Sequence, residues 1–240
     1  MQSDRWTIGF DADDTLWHHE RYFQITQRQF AELLGAYADP AHLQDRLLAA
    51  EHRNLGSYGF GVKAFVLSMI ETAIDVTDAR VPASVIADLI AAGRDMLAHP
   101  IDLLPHAREA VTALAATGKV VLITKGDLLD QERKLAQSGL GDLFDAVEIV
   151  SDKTQATYAR IFARHGNAQA MMIGNSIKSD VIPAIEAGGW GVHVASDANW
   201  ALDHAHPPEG NPRFHTIPTL AALPALWAKI DATLGTIPPQ

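Results

Sequence analysis

Trp6-Thr7-Ile8-Gly9-Phe10-Asp11-Ala12-Asp13-Asp14-Thr15-Leu16 is the stretch on which the reading of this chain turns. Its first five residues form a short apolar run of strand type. The run ends in a cluster of carboxylates at Asp11, Asp13 and Asp14. Carboxylates at the carboxyl end of a buried strand are costly unless something uses them. A divalent cation, a phosphoryl group or both would do so.

Further along lie other short apolar runs: Val120 to Thr124, Ala146 to Val150, Ala170 to Ile173, Val192 to Ala195 and a short sixth at Phe214 to Ile217. Helical patterns flank each one. Buried strands alternating with helices predict a doubly wound α/β core with a parallel sheet, Rossmann-like in plan. The region from about residue 20 to 100 differs, because it contains no strand pattern. Phe23, Phe30, Leu34 and Tyr37 share a helical face, and Asp39-Pro40 reads as a helix cap followed by proline in the first turn. Leu43, Leu47 and Leu48 continue that second helix; Phe65, Met69 and Ile70 mark a third. Val85, Ile86, Leu89, Ile90 and Leu97 mark a fourth, begun near Pro82. The expected organisation is an α/β core from residues 1–17 and 101–240, with a helical cap at 18–100 inserted into it. The helix from about Leu220 to Leu234 reads as packing.

In open α/β sheets, ligands bind beyond the carboxyl ends of the strands. After the first strand come Asp11, Asp13 and Asp14; after the second, Thr124-Lys125-Gly126-Asp127. After the third come Ser151, Asp152 and Lys153; after the fourth, Gly174-Asn175-Ser176-Ile177-Lys178-Ser179-Asp180. Together these groups suit a phosphate and a hard cation. Phosphoryl transfer needs an in-line nucleophile, positive charge on the equatorial oxygens and help for the leaving oxygen. Asp11 has the most constrained position and is the better nucleophile. Asp13, two residues on, points to the same side if the chain stays extended, and serves as acid and then base. Thr124 offers a hydroxyl and Lys153 a positive charge, both as catalytic and substrate-binding groups. Asn175 and Asp180 supply oxygens that suit Mg²⁺. Thr15 either contacts Asp13 or caps a turn, and residues 17–20 either touch substrate or form a hinge. Gly56-Ser57-Tyr58-Gly59-Phe60-Gly61-Val62-Lys63 is a glycine-rich join between helices, either a specificity loop or a plain connector. Lys63 is its one candidate for an anionic substrate.

Composition narrows the classes. The chain has 240 residues, is 48% hydrophobic and carries a formal charge of −10. That charge argues against nucleic acid or an anionic membrane as partner, though not against a small anionic substrate. There is no cysteine, so thiol catalysis, thiolate metal sites and disulfides are excluded. The N-terminal residues lack the apolar run of a signal peptide, and no stretch is apolar enough for a membrane span. The expectation is a cytoplasmic monomer or homodimer.

Asp11-Ala12-Asp13-Asp14-Thr15-Leu16, Thr124, Lys153 and Gly174-Asn175-Ser176…Asp180 resemble the four motifs of the haloacid dehalogenase (HAD) superfamily, in order and in strand-end placement. The helical insert resembles its C1-type cap. The resemblance implies a Mg²⁺-dependent hydrolase of a small phosphorylated metabolite, acting through an aspartyl phosphate. It implies Asp11 as nucleophile, Asp13 as general acid/base, and a metal held by Asp11, the backbone carbonyl of Asp13, Asn175 and Asp180. The dehalogenase branch lacks the aspartate found here as Asp13. Three positions depart from the family pattern. Asn175 stands where an aspartate is usual, which removes a charge from the metal site. Lys125 replaces an asparagine and adds a possible phosphate contact. Thr154-Gln155 follows Lys153 where proline is common, and Thr154 is expected to cap the next helix. Phosphonate hydrolase, phosphomutase, pyrophosphatase and dehalogenase chemistry are the alternatives, with a catalytically silent binding protein of the same fold. A receiver-type phospho-acceptor domain gathers similar residues, but it is much shorter and has no helical insert.

Overall fold

In a computed structural model, residues 6–166, 169–196 and 203–235 are described; the N-terminal segment read above for a signal lies outside them, apart from Trp6. Six strands form one sheet: β1 (Trp6–Phe10), β2 (Lys119–Lys125), β3 (Ala146–Val150), β4 (Gln169–Gly174), β5 (Trp190–Val194) and β6 (Phe214–Ile217). Their order is β3-β2-β1-β4-β5-β6, and the strands run parallel. The chain therefore builds outward from β1 in one direction with β2 and β3, then in the other with β4 to β6. The switch point lies between β1 and β4, where such sheets bind ligands. All five residues of β1 are buried, as a strand covered on both faces requires. The expected strands are all present: β1, β3 and β6 have the expected bounds, and β2, β4 and β5 differ at their ends by one or two residues.

Contacts divide the chain into two compact units. The first contains residues 1–18, 102–124 and 135–240; the second contains 19–101 and 125–134. In the first, Val121, Ile123, Tyr158, Ile161 and Met172 belong to a buried core cluster. Burying each large apolar side chain contributes about 1.5–3 kcal/mol.

The second unit holds α1 (Glu20–Leu34), α2 (Pro40–Tyr58), α3 (Val62–Val76) and α4 (Ala83–Ala98). Phe30, Leu34, Leu43, Leu47, Phe65 and Met69 belong to its own core. Asp39 caps α2, accepting from the His42 N–H at 3.0 Å, with Pro40 in the first turn. Residues 125–134 group with these helices, which the apolar patterning did not suggest. Lys63 pairs with Asp127 at 3.3 Å, and the Lys125 ammonium stands 4.1 Å from the Phe60 ring centroid.

The remaining helices are α5 (Ala107–Ala115), α6 (Leu128–Ser138), α7 (Gln155–His165), α8 (Ile182–Glu186) and α9 (Leu223–Gly235). Among the described residues, no helix is long and apolar enough to cross a membrane.

Candidate active site

Asp11 is the first residue past β1. Its N–H donates to the Ile173 carbonyl of β4 at 2.8 Å, extending the parallel ladder one step and fixing where the side chain leaves the sheet. Both carboxylate oxygens are engaged. The Thr15 hydroxyl donates to Oδ2 at 2.9 Å, and the Lys153 ammonium donates to Oδ1. Lys153 also donates to Asp180 Oδ1 at 2.6 Å, and the Lys153 and Asp180 side chains are each 1% exposed. One lysine thus bridges the carboxylates that follow β1 and β4.

Local sequence explains how each group arrives. Lys153 precedes α7, whose first turn is capped by Thr154 accepting from the Thr157 N–H at 3.2 Å, as expected. Asp180 lies in a wide helical turn, Ile177–Val181, that runs into α8. Ser176 Oγ accepts from the Ser179 N–H at 2.9 Å, and the Ser176 N–H donates to Asp180 Oδ2 at 3.0 Å. These reciprocal bonds satisfy donors that a helix start leaves open. Gly174 lets the Asp180 carboxylate approach the chain: a Cβ there would overlap it. The Tyr158 hydroxyl, fully buried, donates to the Ser179 carbonyl at 3.1 Å and lies 3.4 Å from Asp180 Oδ1.

Thr15, read from sequence as contacting Asp13 or capping a turn, instead holds Asp11. The same hydroxyl oxygen accepts from the Asn175 N–H at 3.0 Å and lies 3.3 Å from Asn175 Oδ1. His193 of β5 bonds the Asn175 carbonyl at 3.0 Å. Asp13 is half-buried and accepts from the Trp17 indole at 2.8 Å. Asp14 is buried with φ of 58°, so it serves the turn. Thr124 is buried on β2, two residues past Leu122, the register partner of Phe10. Asp11, Asp180, Lys153 and Asn175 are thereby brought together, with Asp13 two residues along the same turn. Lys63 and Lys125 belong to the helical unit and its contacts described above.

Burial pushes the Asp11 carboxyl up to about 7; Lys153 opposes this, while Asp180 and Asp13 add to it. For Lys153, burial favours the neutral amine. Asp11 and Asp180 outweigh it and hold the ammonium above its ordinary range. Burial, then Asp180 and Asp11, push the Tyr158 phenol well above its usual value, so it acts as a donor.

A cation fits this donor set chemically. The candidate ligands are all oxygens, and one buried ammonium faces two buried carboxylates with Asp13 close in sequence. Among the described residues, no three His, Asp or Glu side chains already converge as a metal site. A cation here would draw on few side chains and complete its shell with a backbone carbonyl, water and substrate oxygens, which is the habit of Mg²⁺.

A family model for haloacid dehalogenase-like hydrolases matches residues 7–188, spanning β1 through α8 and every strand-end group named above. The chain belongs to this family. A HAD-like family hydrolase from Xanthomonas campestris is 42% identical, covers 97% of this chain and 94% of its own, and has a TM-score of 0.86. Two more distant structures share the HAD fold. A HAD hydrolase from Bacillus subtilis bound to magnesium is 18% identical over 93% of this chain and 99% of its own, with a TM-score of 0.63. L-2-haloacid dehalogenase from Xanthobacter autotrophicus, with chloropropionic acid covalently bound, is 20% identical over 92% and 98%, with a TM-score of 0.62. The search of curated proteins found no significant match. In this HAD hydrolase Thr15 and Trp17 make contacts other than those the sequence suggested, Thr15 with Asp11 and Trp17 with Asp13, and Tyr158 beside Asp180 was not singled out by the sequence at all. Thr15 was visible inside the first motif. Tyr158 shares an apolar helix face with Ile161 and Phe162, so its pattern signals only core.

Proposed function

We propose that this HAD hydrolase cleaves a small phosphomonoester through an aspartyl phosphate on Asp11. What supports the reading is Asp11 itself: a buried carboxylate at the switch point, oriented by Thr15 and Lys153, with the half-buried Asp13 two residues on. An Asp11 oxygen attacks phosphorus and the bond to the alcohol breaks. Asp13 gives its proton to the departing oxygen. Asp13, now a carboxylate, takes a proton from water as that water attacks the phosphoryl group. The bond to Asp11 breaks, and phosphate and free Asp11 result. Lys153 and Thr124 are proposed to donate to the phosphoryl oxygens, and Lys63 and Lys125 to recognise the anionic substrate.

Asp11, the Asp13 carbonyl, Asn175 and Asp180 would hold Mg²⁺. When bound, it would supply positive charge to the carboxylates and phosphoryl oxygens. Restoring the carboxylate that Asn175 lacks should strengthen that site: Asn175→Asp should lower the Mg²⁺ concentration giving half-maximal rate. An unchanged or higher requirement removes Asn175 from the ligand set.

The test of the reaction class is a panel of phosphorylated metabolites with Mg²⁺, read as phosphate release, beside 2-haloacids read as halide release. The Asp11→Asn protein is the blank for both. Phosphate release absent from the blank is expected. Halide release without phosphate release would replace the proposal with dehalogenation.

A further inference from the structure

We propose that Trp17 is a positioning residue for Asp13, fixing the carboxylate that serves the leaving group through its indole N–H; this rests on the phosphatase reading above. A general acid must lie within hydrogen-bond reach of the oxygen it protonates. An aspartate in a turn has several staggered rotamers open to it, and something must select among them.

Trp17 is built to make that selection. Its side chain is buried, and Nε1–H donates to Asp13 Oδ1 at 2.8 Å. The backbone around it is held from both sides. Asp14 N–H donates to the Trp17 carbonyl at 2.8 Å, Leu104 N–H to Leu16 at 2.9 Å, and His18 N–H to Asp102 at 3.0 Å. Bridges pair Asp13 with Trp17 and Trp17 with Leu103. The ring therefore cannot follow the carboxylate; the carboxylate must come to the ring. Burial alone calls for a large apolar side chain, not for an indole in particular; Phe keeps the apolar ring but is smaller and leaves a void. The polar group that Trp adds to an apolar ring is its N–H, and it faces Asp13. With one oxygen held by the indole, a proton given to the leaving group travels on the other, in a fixed direction. Trp17 is completely buried, so it does not itself meet substrate.

The experiment follows kcat/KM across substituted phenyl phosphates of similar size, from dinitrophenyl to unsubstituted phenyl. Acidic phenols leave unaided, whereas phenol needs the acid. Wild type, Trp17→Phe and Asp13→Asn are compared. Asp13→Asn should steepen the dependence on leaving-group basicity, because general acid catalysis contributes on the order of 10²- to 10⁴-fold where it is needed. Trp17→Phe should steepen it in the same sense, losing about tenfold more on phenyl than on dinitrophenyl phosphate. A merely structural loss would lower every ester alike and leave parallel lines. Steepening in Asp13→Asn with parallel lines in Trp17→Phe overturns the role of Trp17 and leaves the phosphatase reading intact. Hydrolysis of none of these esters by the wild type, after a metabolite panel that also fails, overturns both. Should Trp17→Phe not fold, the indole N–H resonance of Trp17 is compared in ¹⁵N-labelled wild type and Asp13→Asn. A clear shift supports the contact, and an unmoved resonance overturns it.

Discussion

At the scale of single residues, the site is governed by an imbalance of buried charge. Lys153 faces Asp11 and Asp180, and burial holds the Asp11 carboxyl near 7 from an ordinary 3.8. The folded chain thus binds a proton at Asp11 that the unfolded chain has already released between these two values. Stability must fall as pH rises through that window. In metal-free buffer, the melting temperature is expected to decline between pH 4 and 7, and Asp11→Asn should flatten the decline. An identical slope in both proteins would show that Asp11 does not carry the proton. Lys153→Met leaves both carboxylates without their cation. Breaking a buried pair in this way costs about 3–5 kcal/mol. Each kcal/mol lowers the melting temperature by roughly 2–4 °C in a chain of this size. Calorimetry showing no loss for Lys153→Met would mean that the ammonium is not buried between Asp11 and Asp180.

At the scale of elements, two tight turns deliver the carboxylates. The turn after β4 depends on Gly174, because any side chain there would enter the space of the Asp180 carboxylate. Gly174→Ala should displace Asp180 from Lys153 and lower turnover by more than the accompanying loss of stability explains. Full activity in a folded Gly174→Ala protein would contradict this. The sequence displayed both turns unevenly. Apolar runs with polar ends located all six strands, and Asp39-Pro40 and Thr154 marked helix caps, because these are local signals. Thr15 holding Asp11, the buried Tyr158 hydroxyl beside Asp180 and the indole on Asp13 were not legible as contacts. They depend on side-chain directions that spacing does not determine. The grouping of residues 125–134 with the helices is likewise a contact between segments far apart in sequence, and no local pattern announces it.

At the scale of the whole molecule, an acidic chain places the buried carboxylates of Asp11 and Asp180 at the sheet's switch point, where the order β3-β2-β1-β4-β5-β6 reverses. Family membership follows from the full span of strands and motifs, and the hydrolase class follows with it. The finer claim is that phosphorus is transferred to Asp11. The most direct test is to mix the protein with Mg²⁺ and a phosphate ester found in the metabolite panel, quench in acid within the first turnovers, and weigh the peptide containing Asp11. The account predicts one added phosphoryl group on Asp11 in the wild type and none in Asp11→Asn. Rapid phosphate release with an unmodified Asp11 peptide, or undiminished turnover by Asp11→Asn, would contradict it.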